Sequence, residues 1–188
     1  DIGEGHRFPM SKYERVRDQL VAEGTVNPGD LVEPEPATDD LLRLVHTDDY
    51  LSRLSGGMLT DREIRRLGFP WSQALVQRAR CAVAGTLAAA RRALETGASG
   101  NLAGGTHHAF PDHGEAFCTL NDMAVTIRVL RRERRGIRFP PVTLPAPEAG
   151  RVAEKVPRRA APGRAVAIPL RARLDRQPRG RSRGLEGK

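Results

Sequence analysis

The sequence predicts an α/β fold in which helices cover a parallel β-sheet, followed by a basic tail without regular structure. Three observations support this prediction. A long alanine-rich helical pattern, Ser72 to about Glu95, leads into the short apolar segment 101–103, which a Gly-Gly pair ends. Earlier segments begin with Ser or Thr followed three residues later by Glu, which is typical of helix starts. Beyond about residue 136 all periodicity disappears.

The N-terminal region is predicted to begin with a helix. Ser11 and Glu14 form a capping-box pattern, apolar side chains then recur at helical spacing, and Gly24 ends the helix. Residues 27–30 indicate a turn, and residues 31–34 a short extended piece that a proline ends.

Further helices follow along the chain. Thr47 is expected to open one of them and Thr60, with Glu63, another that ends at Gly68. The alanine-rich helix has the longest apolar face, so we predict that it is the most buried. The predicted helices are 38–45, 47–55, 60–68, 72–95 and one that starts near Asn121 and runs into the arginines at 131–135.

The segment Asn101–Ala103 is predicted to be a buried strand, with Gly104 and Gly105 in the loop at its C-terminal edge. Ligands of open α/β sheets bind at this edge. His107 and His108 follow the glycine pair, so this loop is the candidate site.

Adjacent residues of an extended segment point to opposite sides, which disfavours binding of one metal ion by both His107 and His108. From a loop, however, both rings can face a reaction centre, one as a base and the other as a charged or hydrogen-bonding group. A single histidine is most often a surface or satisfied core residue. The pair, placed after a strand and two glycines, favours a functional role.

Other reactive side chains follow within ten residues. Asp112, His113, Glu115 and Cys118 lack the two-plus-two spacing of zinc sites, even together with the histidine pair. Cys118 could act as a nucleophile beside a histidine base, but its apolar neighbours favour a buried small residue. The glycines are not followed by Lys-Ser/Thr, so no phosphate-binding loop is predicted.

Several blocks of the sequence together resemble the histone deacetylase family, the zinc amidohydrolases that include acetoin-utilisation proteins and acetylpolyamine amidohydrolases. The histidine block consists of residues 104–109, 114–118 and 121–125. Residues 45–51 read VHTDDYL and are similar to the family's VH-x-x-x-YL stretch. Gly5-His6 fits the N-terminal block, and residues 67–72 are similar to short bacterial members of the class IV type. The resemblance covers about residues 3–133, in register and in order.

This resemblance implies the N-terminal part of an arginase/deacetylase-like three-layer fold with a parallel sheet. It implies that His107 and His108 are the catalytic pair, which transfers protons around a zinc-bound water that attacks an acetyl-lysine carbonyl. Phe117, Gly105 and Ala116 would line the channel for the substrate's methylene stem. Ala116 stands where the family usually has glycine, which adds a methyl group beside that channel. The implied substrate is an acetylated protein or a small acetylated amine.

The zinc expected for the family has no ligands in this sequence. The resemblance implies an Asp and a His from an Asp-x-Asp-x-His-x-Gly block, and a later Asp, yet no histidine follows His113 and the sole aspartate after Asp122 is Asp175. The family's oxyanion tyrosine is also missing, since no tyrosine follows Tyr50. Without zinc to activate water and polarise the carbonyl, we predict that this chain is inactive and has no metal ligands.

We therefore expect a truncated deacetylase-like domain over residues 1–135 and an Arg/Pro-rich tail over residues 136–188. Residues 131–188 contain 17 Lys and Arg against 5 Asp and Glu, whereas residues 1–130 contain 14 against 18. The tail also has eight prolines and one aromatic residue, Phe139, so we expect disorder. A shifted reading frame of a GC-rich gene gives such a composition; translation of the other two frames, which should contain the missing block, tests this.

An alternative function is nucleic-acid binding, in which the arginines of the tail neutralise phosphates. No aromatic residues are interleaved for base stacking, so a solvated basic tail is the preferred interpretation and nucleic acid is not the expected partner. No apolar run reaches membrane-spanning length and no leader pattern is present. Cys81 and Cys118 do not form a disulfide framework. We expect a cytoplasmic protein without a membrane partner; the sequence gives no oligomeric state.

Overall fold

The computed structural model describes residues 6, 8–133 and 166–167, the last two through their backbone. Six α-helices and three short strands lie in this part of the chain. The helices are α1 Lys12–Ala22, α2 Asp39–Leu42, α3 Asp48–Ser55, α4 Asp61–Leu67, α5 Gln73–Thr96 and α6 Asp122–Glu133. The strands are β1 Leu31–Val32, β2 Gly100–Asn101 and β3 Val166–Ala167.

The three strands form a parallel sheet in the order β1-β3-β2. Helices combined with a parallel sheet confirm the α/β prediction. The middle strand was not predicted, because Val166–Ala167 lies in the tail for which we expected disorder. Apart from these two residues the tail, with its arginines, lies outside the described residues, so its expected disorder stays a prediction. The boundary at residue 135 therefore stays a prediction.

The predicted strand Asn101–Ala103 is displaced towards the N-terminus. Only Gly100 and Asn101 pair with β3, and Leu102 and Ala103 form a turn. The turn has a local cause, since the Asn101 side-chain oxygen accepts a hydrogen bond from the backbone N–H of Ala103 at 3.1 Å. Asparagine commonly makes such a bond two residues ahead, and it ends the strand here.

Helix α5 is the centre of the core. It packs against α6 and β2, and nine of its residues are buried, more than in any other described helix. Gly85 allows the close approach to β2, since a Cβ at this position would lie 3.0 Å from the side-chain nitrogen of Asn101. No helix of the described residues is both long and apolar enough to cross a membrane.

The two predicted capping boxes differ in the structure. Thr60 has the expected extended backbone, its hydroxyl accepts from the N–H of Glu63, and the Glu63 carboxylate accepts from the N–H of Thr60 at 2.8 Å. Ser11 instead has helical backbone angles and makes no side-chain cap hydrogen bond, so the helix α1 is confirmed but its predicted capping box is wrong. A side chain can cap only when its own backbone leaves the helical region.

The capping box also gives the chain an acid-sensitive contact. The hydrogen bond from the Thr60 backbone, aided by Arg53, lowers the pKa of Glu63 to about 2. A carboxyl group with a lowered pKa in the folded state stabilises that state above its ordinary titration range. This contribution is present above about pH 4.5 and is lost as the pH falls towards 2.

Replacing Thr60 by Ala should lower the free energy of unfolding by about 1 kcal/mol, because one N-terminal N–H of α4 loses its acceptor. Urea unfolding followed by circular dichroism measures the change. Ser11→Ala is the matched control and should change stability by less than about 0.5 kcal/mol, as expected of a surface substitution without a cap. Equal losses in both variants would show that the Thr60 side chain does not act as a cap.

Candidate active site

The side chains of His107 and His108 lie next to each other on an exposed turn. Their ring centroids are 4.2 Å apart and the rings are inclined by 40°. Both residues are exposed and both belong to a turn, so the alternation of an extended strand does not apply. The backbone thus allows the arrangement that the sequence left open, in which both rings are available to one reaction centre.

The ring of His107 is oriented by its own loop. Its Nδ1 lies 2.9 Å from the carbonyl oxygen of Gly105. A carbonyl can only accept, so Nδ1 carries the proton of this bond. In the neutral imidazole the lone pair is then on Nε2, which is the atom that could take a proton from a substrate or from water.

A buried carboxylate fixes the loop that precedes the histidines. Asp122 is fully buried, and its two oxygens accept from the N–H groups of Gly105 and Thr106, each at 2.8 Å. The Thr86 hydroxyl on α5 donates to the same carboxylate at 2.5 Å. Because Asp122 is the first residue of α6, the positive end of the helix dipole also favours its charge.

Both glycines of the pair are required by the geometry of this anchor. Gly105 has φ of +88°, which favours a residue without a Cβ. A Cβ on Gly104 would lie 2.7 Å from the Thr86 hydroxyl oxygen and 3.1 Å from Asp122 Oδ2. A larger residue at 104 would therefore displace the two groups that hold the loop.

Asn121 holds the other side of the histidine turn. Its side-chain N–H groups donate to the carbonyl oxygens of His107 at 3.1 Å and Ala109 at 2.9 Å. Its side-chain oxygen accepts from the N–H of Ala124 at 3.0 Å, which caps α6. The sequence indicated Asn121 only as a helix start. Its position in the family-like block with Asp122 was the available signal for a role at the site.

Ala116 and Phe117, two of the residues predicted for the substrate channel, form a tight turn. Their φ angles are +49° and +66°, and Glu115 and Cys118 on either side exchange backbone hydrogen bonds of 3.0 and 2.8 Å. Two successive positive φ angles in such a two-residue hairpin favour Asn or Gly. The Phe117 N–H donates to the carbonyl of Leu67 at 2.8 Å. The turn thus provides a donor for a carbonyl at the C-terminus of α4 that has no partner within the helix.

The Phe117 ring belongs to an aromatic cluster at the edge of the core. Its centroid is 5.2 Å from that of Phe69 and 5.3 Å from that of Phe8. The ring is partly buried. Gly105, the third predicted channel residue, lies in the anchored loop described above.

Cys118 is buried beside the histidine turn. Burial raises the pKa of its thiol and the charge of Asp122 adds to this shift, whereas the backbone of His108 opposes it. Since the thiolate is the nucleophilic form, the structure favours the interpretation of Cys118 as a buried small residue over the nucleophile alternative.

The remaining acidic and histidine side chains of this segment contact one another, since the His113 ring lies beside both Asp112 and Glu115. His113 Nδ1 lies 2.6 Å from an Asp112 oxygen, and this contact lowers the pKa of Asp112. Across the described part of the chain, no three His, Cys, Asp or Glu side chains are arranged to hold a metal ion. The described residues therefore offer no three-ligand site for the zinc that the family resemblance implies.

Replacing Asp122 by Asn should lower the free energy of unfolding by about 2 kcal/mol, because an amide cannot accept as many of the converging hydrogen bonds. Amide exchange of Gly105 and Thr106 should become faster in the same variant. Asp112→Asn is the control, since Asp112 is exposed, and it should leave both amides protected. Unchanged exchange of the two amides in Asp122→Asn would contradict the anchoring role.

Replacing Ala116 by Gly should raise the free energy of unfolding by about 1 kcal/mol, because a left-handed backbone costs a residue with a Cβ about that amount. Ala88→Gly removes the same methyl group from an exposed position inside α5 and should lower it by about 1 kcal/mol. Thermal unfolding of both variants measures the two shifts. A loss of stability in Ala116→Gly would mean that the methyl group makes contacts that outweigh the strain.

Comparisons with known proteins show to which family this chain belongs. Residues 6–138 match the family model of the histone deacetylase domain. The chain is 43% identical over 136 residues to an uncharacterized protein of Picosynechococcus sp., covering 72% of this chain and 45% of that protein. It is 33% identical over 138 residues to the acetoin utilization protein AcuC of Bacillus subtilis, covering 68% and 36%. It is 34% identical over 129 residues to histone deacetylase 2 of Arabidopsis thaliana, covering 65% and 33%.

Solved structures agree with this assignment. The fold is similar to the crystal structure of an HDAC homolog from Aquifex aeolicus, with a TM-score of 0.56 and 26% identity over 68% of this chain and 38% of that chain. A structure of an HDAC homolog complexed with SAHA gives the same values. The chain spans less than half the length of these relatives. The fold, the order of the sequence blocks and the family match agree, and the protein belongs to the histone deacetylase family.

Proposed function

We propose that this chain carries the proton-transfer part of a deacetylase of the histone deacetylase family, and that it does not complete the reaction by itself. The substrate class is an acetylated amine, either acetyl-lysine in a protein or a small acetylated molecule. The observation that supports this proposal most strongly is the pair of imidazoles 4.2 Å apart on a loop tied to a buried carboxylate.

The two histidines have complementary tasks in amide hydrolysis. The reaction needs a base that takes a proton from water and an acid that gives one to the leaving amine. The hydrogen bond to Gly105 leaves Nε2 of His107 as the proton acceptor. His108, with its ring beside that of His107, is the partner that donates or stabilises the developing charge. The exposure of both rings leaves them accessible to a substrate.

The methylene stem of the substrate would lie along Phe117, Ala116 and Gly105. Phe117 precedes Cys118, whose thiol lies close enough to the backbone of His108 for this backbone to affect its pKa. An aromatic face in the channel would suit an aliphatic stem. The methyl group of Ala116 makes this region narrower than glycine would.

The predicted lack of activity rests on the ligands available to zinc. In this family zinc would activate the water and polarise the carbonyl. The described residues include no group of three suitable ligands, and the sequence has no histidine beyond His113. We propose that residues 1–135 form a partial deacetylase domain, with residues 136–188 as a tail. Nucleic-acid binding by that tail stays the alternative.

An assay of the whole 188-residue chain tests the proposal. We expect no turnover of an acetyl-lysine reporter, with or without added Zn²⁺, and less than one zinc per chain by elemental analysis after dialysis. Stoichiometric zinc together with turnover would overturn the lack of activity.

Because the parent chain is expected to be inactive, the role of the pair is tested in an active full-length family member, in which the two histidines that match His107 and His108 are replaced by alanine. Turnover should disappear in this variant. Turnover that persists would show that the histidine pair is not catalytic. An active full-length family member in the same assay confirms that the reporter is a substrate.

A further inference from the structure

We propose that His46 is a positioning residue whose neutral imidazole, acting as a hydrogen-bond acceptor, holds the histidine turn in place through Asn121. The inference rests on the proposed function in one respect, the catalytic role of His107 and His108. The positioning itself is a statement about hydrogen bonds and can be tested without turnover.

His46 lies between α2 and α3, far in sequence from the turn that it affects. Its own N–H donates to the carbonyl of Leu42 at 2.8 Å, which fixes the backbone after α2. The side chain is buried, with 3% of its surface exposed. The ring is therefore held by the core and has little freedom to reorient.

The contact that carries the inference joins His46 to Asn121. The backbone N–H of Asn121 donates to Nε2 of His46 at 3.0 Å. This bond requires a lone pair on Nε2, so the imidazole must be neutral with its proton on Nδ1. Asn121 in turn donates to the carbonyls of His107 and Ala109. A single residue thus connects the His46 ring to both sides of the turn.

The neighbour of His46 holds the same segment at a second point. The N–H of Thr47 donates to the carbonyl of Pro111 at 2.9 Å, while the Thr47 hydroxyl caps α3 by accepting from Tyr50. Two adjacent residues before α3 therefore hold the segment 107–111 by hydrogen bonds: His46 through Asn121, and Thr47 directly at Pro111. Loss of the His46 acceptor would let Asn121 shift. The histidine turn would shift with it, because the carbonyls of His107 and Ala109 accept hydrogen bonds from the Asn121 side chain.

The surroundings of the ring favour the neutral form. Burial lowers the pKa of His46, and the carbonyls of Pro111 and Phe110 oppose this shift. Nδ1 nevertheless makes no hydrogen bond of acceptable geometry within the described residues. The groups that face the ring are the Tyr50 phenol, 5.8 Å away between centroids, and these backbone carbonyls. No charged side chain of the described chain contributes to the shift.

Protonation would therefore oppose the contact. A proton on Nε2 would turn the acceptor into a donor that faces the N–H of Asn121. The pKa of His46 is lowered where the ring is buried against Asn121. The state in which the hydrogen bond from Asn121 is broken and the ring is hydrated therefore binds the proton more readily. The contact is fully stable above the ordinary histidine value of about 6.5 and weakens as the pH falls below it.

The experiment measures amide exchange of Asn121 and of residues 107–110 in the whole chain at several pH values, corrected for intrinsic exchange rates. In the parent chain, protection of Asn121 should fall below pH 6.5 by up to about tenfold per pH unit, the slope for one proton. In His46→Gln the side-chain oxygen replaces Nε2 as acceptor without titrating, so protection should persist at low pH. In His46→Leu protection should be lost at every pH.

His113→Gln is the matched control, because it removes another histidine of the same segment and should keep the pH dependence of the parent chain. The proposal is overturned if His46→Gln shows the same pH dependence as the parent, or if Asn121 exchange does not depend on pH. Should a His46 variant fail to fold, NMR titration of the parent decides the question: the His46 ring and the Asn121 amide must titrate together. A failed deacetylase assay leaves these outcomes unaffected.

Discussion

The arrangement of the site depends on one interaction, the buried carboxylate of Asp122 that accepts hydrogen bonds from the loop and from α5. A buried charge is costly unless it is fully hydrogen-bonded. Here the N–H groups of Gly105 and Thr106 and the hydroxyl of Thr86 supply the donors, and the start of α6 adds its dipole. The loop that carries the histidines therefore supplies two of the hydrogen bonds that allow the Asp122 carboxylate to be buried.

The same principle extends to the neighbouring elements. Asn101 on β2 donates to the Thr86 hydroxyl at 2.9 Å and to the carbonyl of Ala82 at 2.9 Å, so the strand, α5 and the carboxylate form one network. On the other side, the Tyr50 hydroxyl donates to the carbonyl of Thr119 at 2.8 Å. The segment between β2 and α6 has almost no regular structure, yet its backbone groups are bound by the ends of several helices. Rigid helices thus position an irregular loop.

Local patterns in the sequence were sufficient for the helices but not for the site. The hydrogen bonds of a capping box join residues three apart, so the spacing of Thr60 and Glu63 predicted this box correctly. The same spacing failed at Ser11, where the backbone is helical and the side chain makes no cap hydrogen bond. Asn101 ended the strand early through a side-chain bond that hydrophobicity does not reveal. His46 and Asn121 meet across a long sequence separation, so no local pattern could pair them. The family resemblance contained these residues in its blocks but gave them no role.

The solvent exposure of His107 and His108 affects how strongly their surroundings can stabilise a developing charge. Active sites stabilise developing charge best when fixed dipoles replace bulk water around the reacting groups. The rings of His107 and His108 are in contact with solvent, and water must reorganise around any charge that they acquire. A segment that covers this turn would lower the local dielectric constant and strengthen every interaction with the two imidazoles. For the proposed proton-transfer role, the shielding of the two rings from water would matter as much as the rings themselves.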